Sequence, residues 1–188
     1  GIMAEAGTAK KTAGKKETPE EKLAKVCEEI AYDRKAENII RLDLKEYSAV
    51  SDYFVLCTAT SEPHIRAVAE RIQRDVLEQL KIKPLHVDGS PESRWMIVDF
   101  GSVMVHVMDE DTRSLYQLES LWGDAPKSDA IKRIEAKAKR KAAADKKKRT
   151  AAAVRFFDVL IQDQSNRGTV SGGTGQMYLP PVVLTYSS

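Results

Sequence analysis

Between Arg94 and Asp124 the chain reads RWMIVDFGSVMVHVMDEDTRSLYQLESLWGD, a stretch that holds both tryptophans, His106 and an ordered set of charges. The sharpest catalytic reading pairs Gly101-Ser102 with Asp109 and Asp111. A Gly-Ser turn with carboxylates two residues apart on a later strand is how a nucleotidyl-transfer site holds Mg²⁺ against a triphosphate. The spacing argues against it in two places. Gly101-Ser102 joins two strands rather than opening a helix, so it offers no helix N-terminus to a phosphate. Asp109-Glu110-Asp111 precedes the helical pattern of Arg113 to Trp122, where acids favour a helix start through the macrodipole. His106 has the chemistry of a general base, but no Ser or Cys nucleophile pattern accompanies it. A histidine satisfied by hydrogen bonds, or placed in a contact surface, fits better. His64 and His86 show no paired spacing, so no metal site is expected. Cys27 and Cys57 fall on apolar positions and read as reduced core thiols. The residues therefore point to no catalysis and no cofactor.

The elements that must position this stretch are legible from periodicity. Trp95 to Asp99 and Val103 to Val107 read as two strands around a tight turn, with Met104, His106 and Met108 on the face opposite Val103, Val105 and Val107. In the helix after them, Leu115, Leu118 and Leu121 make a packing edge beside Trp122, and Tyr116 and Glu119 form a neighbouring face. Upstream, Thr18-Pro19-Glu20-Glu21 is a capping box that opens an amphipathic helix ending near Lys35. Asn38 to Leu44 and Tyr53 to Thr58 are strands, the second apolar throughout and buried on both faces. Ser61 caps a second helix with the stripe Ile65, Val68, Ile72, Val76 and Leu80. A short strand at Pro84 to Val87 and a loop at Asp88 to Glu92 complete the order. The fold class is α+β: a mixed five-stranded sheet with packed helices.

Charge is segregated along the chain. Residues 23–126 carry 12 basic and 19 acidic groups, net −7, whereas residues 127–150 carry 11 and 3, net +8. So acidic a domain is a poor generic binder of nucleic acid and suits a basic partner surface. Four segments result: a disordered lead over 1–17, a domain over 18–126, a basic helical arm over 127–153, and a tail of unknown structure over 154–188. The arm is rich in helix formers but poor in large apolar residues. Lys132, Arg133, Lys137, Lys139, Arg140 and Lys141 are its candidates for touching RNA, against a solvated tail with no contact. The apolar runs VRFFDVLIQ and YLPPVVLTY leave open a strand pair, a non-native extension or a partner-binding segment. No run approaches a membrane span and no signal peptide is apparent, so a soluble protein of a reducing compartment is expected. The Lys-rich, Glu-containing residues 3–17 favour a bacterial cytoplasm over an organelle matrix. A homodimer through a strand edge or the last helix stays open.

Two strings, SDYFVLCTATSEPHIRAVAERI and WMIVDFGSVMVHVMDEDTRSLYQLESLW, resemble the RsfS/Iojap ribosomal silencing factors over about residues 20 to 124. The second is the more specific, with Trp95, Asp99, Gly101, Val105-His106-Val107, Arg113, Tyr116, Leu118-Glu119 and Leu121-Trp122 in family order. Ala59 departs from the family's usual Gly. The resemblance implies a nucleotidyltransferase-like fold without established catalysis. It also implies binding to ribosomal protein L-fourteen of the large subunit, which blocks subunit joining and represses translation. It carries contact roles to Trp95 and Tyr116 first, then to Asp99, His106, Arg113 and Glu119. Two alternatives remain beside it: a nucleotide- and Mg-binding enzyme using Asp109 and Asp111, and a general RNA-binding module driven by the arm.

Overall fold

Thr18 does what its place before Pro19-Glu20-Glu21 implies: its hydroxyl accepts from the Glu21 backbone N–H at 3.1 Å and starts helix α1, Pro19–Asp33. In the computed structural model, which describes residues 16–168, the order continues as β1 Glu37–Asp43, β2 Tyr53–Thr58, α2 Glu62–Leu80, β3 His86–Ser90, β4 Trp95–Asp99 and β5 Val103–Met108. It closes with α3 Glu110–Tyr116, α4 Leu118–Leu121, β6 Lys127–Asp129 and α5 Ala130–Asn166. Residues 1–15 of the expected lead and residues 169–188 of the tail, YLPPVVLTY among them, lie outside the described residues.

The chain divides into two units, 1–138 and 139–188. The first is built on one mixed sheet in the order β3-β4-β5-β2-β1-β6. β2 and β5 run parallel, because α2 and the β3-β4 hairpin intervene between them, and the other neighbours are antiparallel. Gly101 takes φ +85 in the turn from β4 to β5, a backbone shape that costs a glycine little. The six strands replace the expected five. Lys127–Asp129 has no strand propensity of its own, and is a strand because β1 offers it an open edge of backbone donors and acceptors. β3 also lies later than the expected Pro84 to Val87. Its Gly89, at φ +75, passes so close to Trp95 that a Cβ there would sit 2.1 Å from the Trp95 carbonyl oxygen. A segment that reads as a loop is thus a strand that only glycine permits.

Each face of the sheet has its own core. On one, α1 and α2 lay Leu23, Cys27, Ile30, Ile65, Val68, Ile72 and Val76 against Val55, Cys57, Val98, Val103, Val105 and Val107. Burial of each Val or Ile here is worth about 1.5–3 kcal/mol. On the other face a smaller cluster joins Leu42, Leu44, Phe54, Leu56 and Met108 to Leu118 and Ala125, with Trp95, Met104 and Trp122 packed at its margin. Both cysteines are buried and free. Burial pushes the Cys57 thiol up to about 12, so it has no thiolate chemistry at neutral pH.

The start of α5 belongs to the first unit. Ala130 is buried and Ile131 and Ile134 pack on the larger core, while Arg133 Nη2 donates at 2.6 Å to Glu28, a carboxylate with no exposure at all. In the second unit, the described residues from Lys139 are helical to Asn166, and each of these side chains is exposed. Among the described residues, no helix is long and apolar enough to cross a membrane.

Candidate protein-docking site

The alternation of β4 and β5 sets Trp95, Ile97 and Asp99 beside Met104 and His106 on the face that α1 and α2 leave uncovered. The short helices α3 and α4 reach over it, and they cover part. Tyr116, at the end of α3, lies against Trp95 with ring centroids 4.8 Å apart, yet remains 53% exposed. On either side of it Leu115 is 76% exposed and Leu121 65% exposed. Beneath them, Phe54 meets His106 at 4.7 Å and Trp122 edge-on at 5.1 Å. An apolar, aromatic surface thus rests on a rigid floor of strands.

His106 is locked into this floor. Trp95 Nε1 donates to its Nδ1 at 3.2 Å, which makes Nδ1 the acceptor and leaves the ring neutral. Burial lowers its pKa to about 4, against a smaller upward pull from Asp99. A ring held so, with Nδ1 occupied, is placed to orient Trp95 and not to take protons from a ligand. Asp99 serves the turn: its Oδ1 accepts from the Gly101 N–H at 2.7 Å. It lies four strand residues from Trp95, roughly 13 Å along β4.

Arg113 and Glu119 are joined to each other. Arg113 is only 4% exposed, and its Nε and Nη2 donate to Glu119 Oε1 at 3.1 and 2.6 Å. Its Nη1 donates to the Asn38 carbonyl at 2.5 Å and to Thr58 Oγ1 at 3.0 Å. The helix expected through Trp122 is accordingly two pieces, bent at Gln117 with φ 45 and ψ 54. With that bend only Leu118 of the expected leucine edge is buried. No glycine or proline marks the break, so the sequence carries no local signal for it. The exposure of Leu115 and Leu121 is invisible in the sequence for the same reason.

Of the paired acids, Asp109 is spent on the fold. Asp109 caps α3, accepting from the Thr112 N–H at 2.8 Å and from Arg94 at 3.0 Å. Burial raises its pKa, but these hydrogen bonds outweigh that and hold it below the usual value. Asp111 lies exposed in the first turn of α3. Among the described residues, no group of three His, Cys, Asp or Glu could hold a metal ion.

The arm candidates divide as well. Arg133 is held by Glu28 and Glu29, and Lys137 by Glu29 at 3.3 Å. Lys132 is exposed beside Asp129 at 3.9 Å. Lys139, Arg140 and Lys141, in the second unit, are exposed.

Comparison with known proteins gives this surface a context. The family model described as "Ribosomal silencing factor during starvation" matches residues 16–155. A ribosomal silencing factor RsfS from Bacillus subtilis (strain 168) is 40% identical over 107 residues, which cover 57% of this chain and 90% of the relative. Another, from Halalkalibacterium halodurans, is 41% identical over 95 residues, covering 50% and 80%. The crystal structure of a Chromobacterium violaceum protein superposes with TM-score 0.54 at 28% identity, over 56% of this chain and 88% of that one. With well over half its length matched by one family model, the chain belongs to the RsfS/Iojap family of ribosomal silencing factors.

Proposed function

We propose that the chain docks its Trp95–Tyr116 face on ribosomal protein L-fourteen of the large ribosomal subunit and so blocks joining of the small subunit, without catalysis. The observation that carries this reading is the half-covered aromatic face, with Tyr116, Leu115 and Leu121 exposed above a buried floor. Large aromatic side chains on a rigid support are the usual anchors of a protein interface. Trp95 and Tyr116 form the contact, Asp99 and Glu119 stand at its rim, and the buried His106 and Arg113 hold it in shape. The mechanism requires occupancy alone. An interface of standard size, about 1,600 Å² in total, laid over an intersubunit contact excludes the other subunit with no bond made or broken.

Charge supports the same partner. The net −7 of residues 23–126 is drawn to a basic ribosomal protein, while the exposed Lys139, Arg140 and Lys141 suit nearby rRNA in a bacterial cytoplasm. The test is sedimentation. Purified protein added to separated subunits should migrate with the large subunit and reduce the joined fraction on a sucrose gradient. If the protein stays at the top and joining proceeds unchanged, the reading is wrong.

A further inference from the structure

We propose that Arg113 is the positioning residue of the docking face: its buried guanidinium, shared between the sheet and Glu119, imposes the bend at Gln117 that sets Tyr116 against Trp95. This role deepens the docking reading and rests on it.

An α-helix turns about 100° per residue, so in an unbroken helix Glu119 would lie about 240° of rotation from Arg113, and about 9 Å along the axis, facing elsewhere. The two could not meet. They do meet, at 2.6 and 3.1 Å, because Gln117 leaves the helix in the left-handed region. Such a backbone is strained for any residue but glycine, and nothing in Arg113-Ser114-Leu115-Tyr116-Gln117-Leu118-Glu119 favours it locally. The ion pair therefore requires the bend, and nothing local in the sequence supplies it.

Arg113 also ties the bend to the sheet. Its Nη1 bonds the Asn38 carbonyl just inside β1 and the Thr58 hydroxyl at the end of β2, so α3 is fixed to the sheet on its inner side while α4 is drawn in by Glu119. One planar fork reaches three acceptors in different directions, which a lysine ammonium at one point does not reproduce. The consequence is what the surface displays. Leu118 turns inward, Leu115 and Leu121 stay outside, and Tyr116, the last residue of α3, lies at 4.8 Å from Trp95.

The test uses the full chain. Because Arg113→Lys alters a buried group on which folding itself depends, Glu119→Ala is the decisive variant, its side chain being 24% exposed. The readout is the NMR signal of the Trp95 indole N–H, assigned by its loss in Trp95→Phe, together with binding to large subunits. Glu119→Ala should move that signal toward its position in Tyr116→Ala and weaken binding about tenfold, as removal of a supporting contact does at a hot spot. Glu119→Gln, which keeps the acceptor oxygen, should restore most of both. An unmoved indole signal in a folded Glu119→Ala protein overturns the proposal, whether binding falls or not, since a fall alone would make Glu119 a direct contact. Should the unaltered chain fail to bind large subunits, the docking reading falls, and the indole signal still decides the role of Arg113.

Discussion

His106 shows how a residue with catalytic chemistry becomes a structural one. Its alternation on β5 points it at the open face, but Phe54 and Trp95 close over it and the indole N–H takes its Nδ1. The unfolded chain protonates this histidine near 6.5, and the folded chain only near 4. Between those values the unfolded state binds more protons, so stability falls as pH drops, and His106 ceases to matter only about one unit above 6.5. The window is worth on the order of 3 kcal/mol, from the interval between the two values. In urea titrations the midpoint should fall from about pH 7 to about pH 4.5, and His106→Gln should fall less steeply. Parallel curves for the two proteins would remove His106 from the acid response.

Among the elements, the first turns of α5 behave differently from the rest of that helix. Basic residues in a run suggest one arm with one role, yet Arg133 spends its charge inside the first unit on Glu28. Burial raises the Glu28 pKa, while Arg41 at 3.4 Å and Arg133 oppose that rise. Removing one partner leaves a buried carboxylate less compensated, a loss of about 3–5 kcal/mol in the extreme and about 1–3 kcal/mol here, because Arg41 remains. Arg133→Ala should therefore lower the thermal midpoint. Lys139→Ala, at an exposed position, should stay within about 0.5 kcal/mol of the unaltered protein. Equal and small effects of the two substitutions would mean that the Glu28 pair holds nothing together.

For the whole molecule, the division after Ala138 separates a packed unit from an exposed basic helix. The first unit has a core on each face of its sheet, and its β6 and Arg133 contacts depend on residues 127 to 133. Residues 139–149 carry seven basic groups and one acidic group with no buried side chain. A chain ending at Ala138 should keep its melting temperature, bind the large subunit more weakly, and show a flatter dependence of affinity on salt, since fewer phosphate contacts release fewer counterions. An unchanged salt slope would take the second unit out of the binding. Truncation at residue 126 would confound the comparison, because it also removes the sixth strand.

Local sequence was enough for the helices capped by Thr18 and Ser61, the buried strand Tyr53 to Thr58, the mixed strand directions of the sheet, and the shared face of Met104 and His106. Each of these rests on capping chemistry, on connection length or on a period of two or 3.6 residues, which a linear reading can see. The remaining features arose only where distant segments met. Lys127–Asp129 became a strand because an edge was open, His86–Ser90 because Gly89 allows close approach, and the last helix broke because Arg113 found Glu119, Asn38 and Thr58 together. The acceptors in the sheet lie 75 and 55 residues away from Arg113 along the chain, and no local pattern records contacts at that separation. The exposed Tyr116, Leu115 and Leu121 are the outcome of that break, so the composition of the aromatic face was legible and its shape was not.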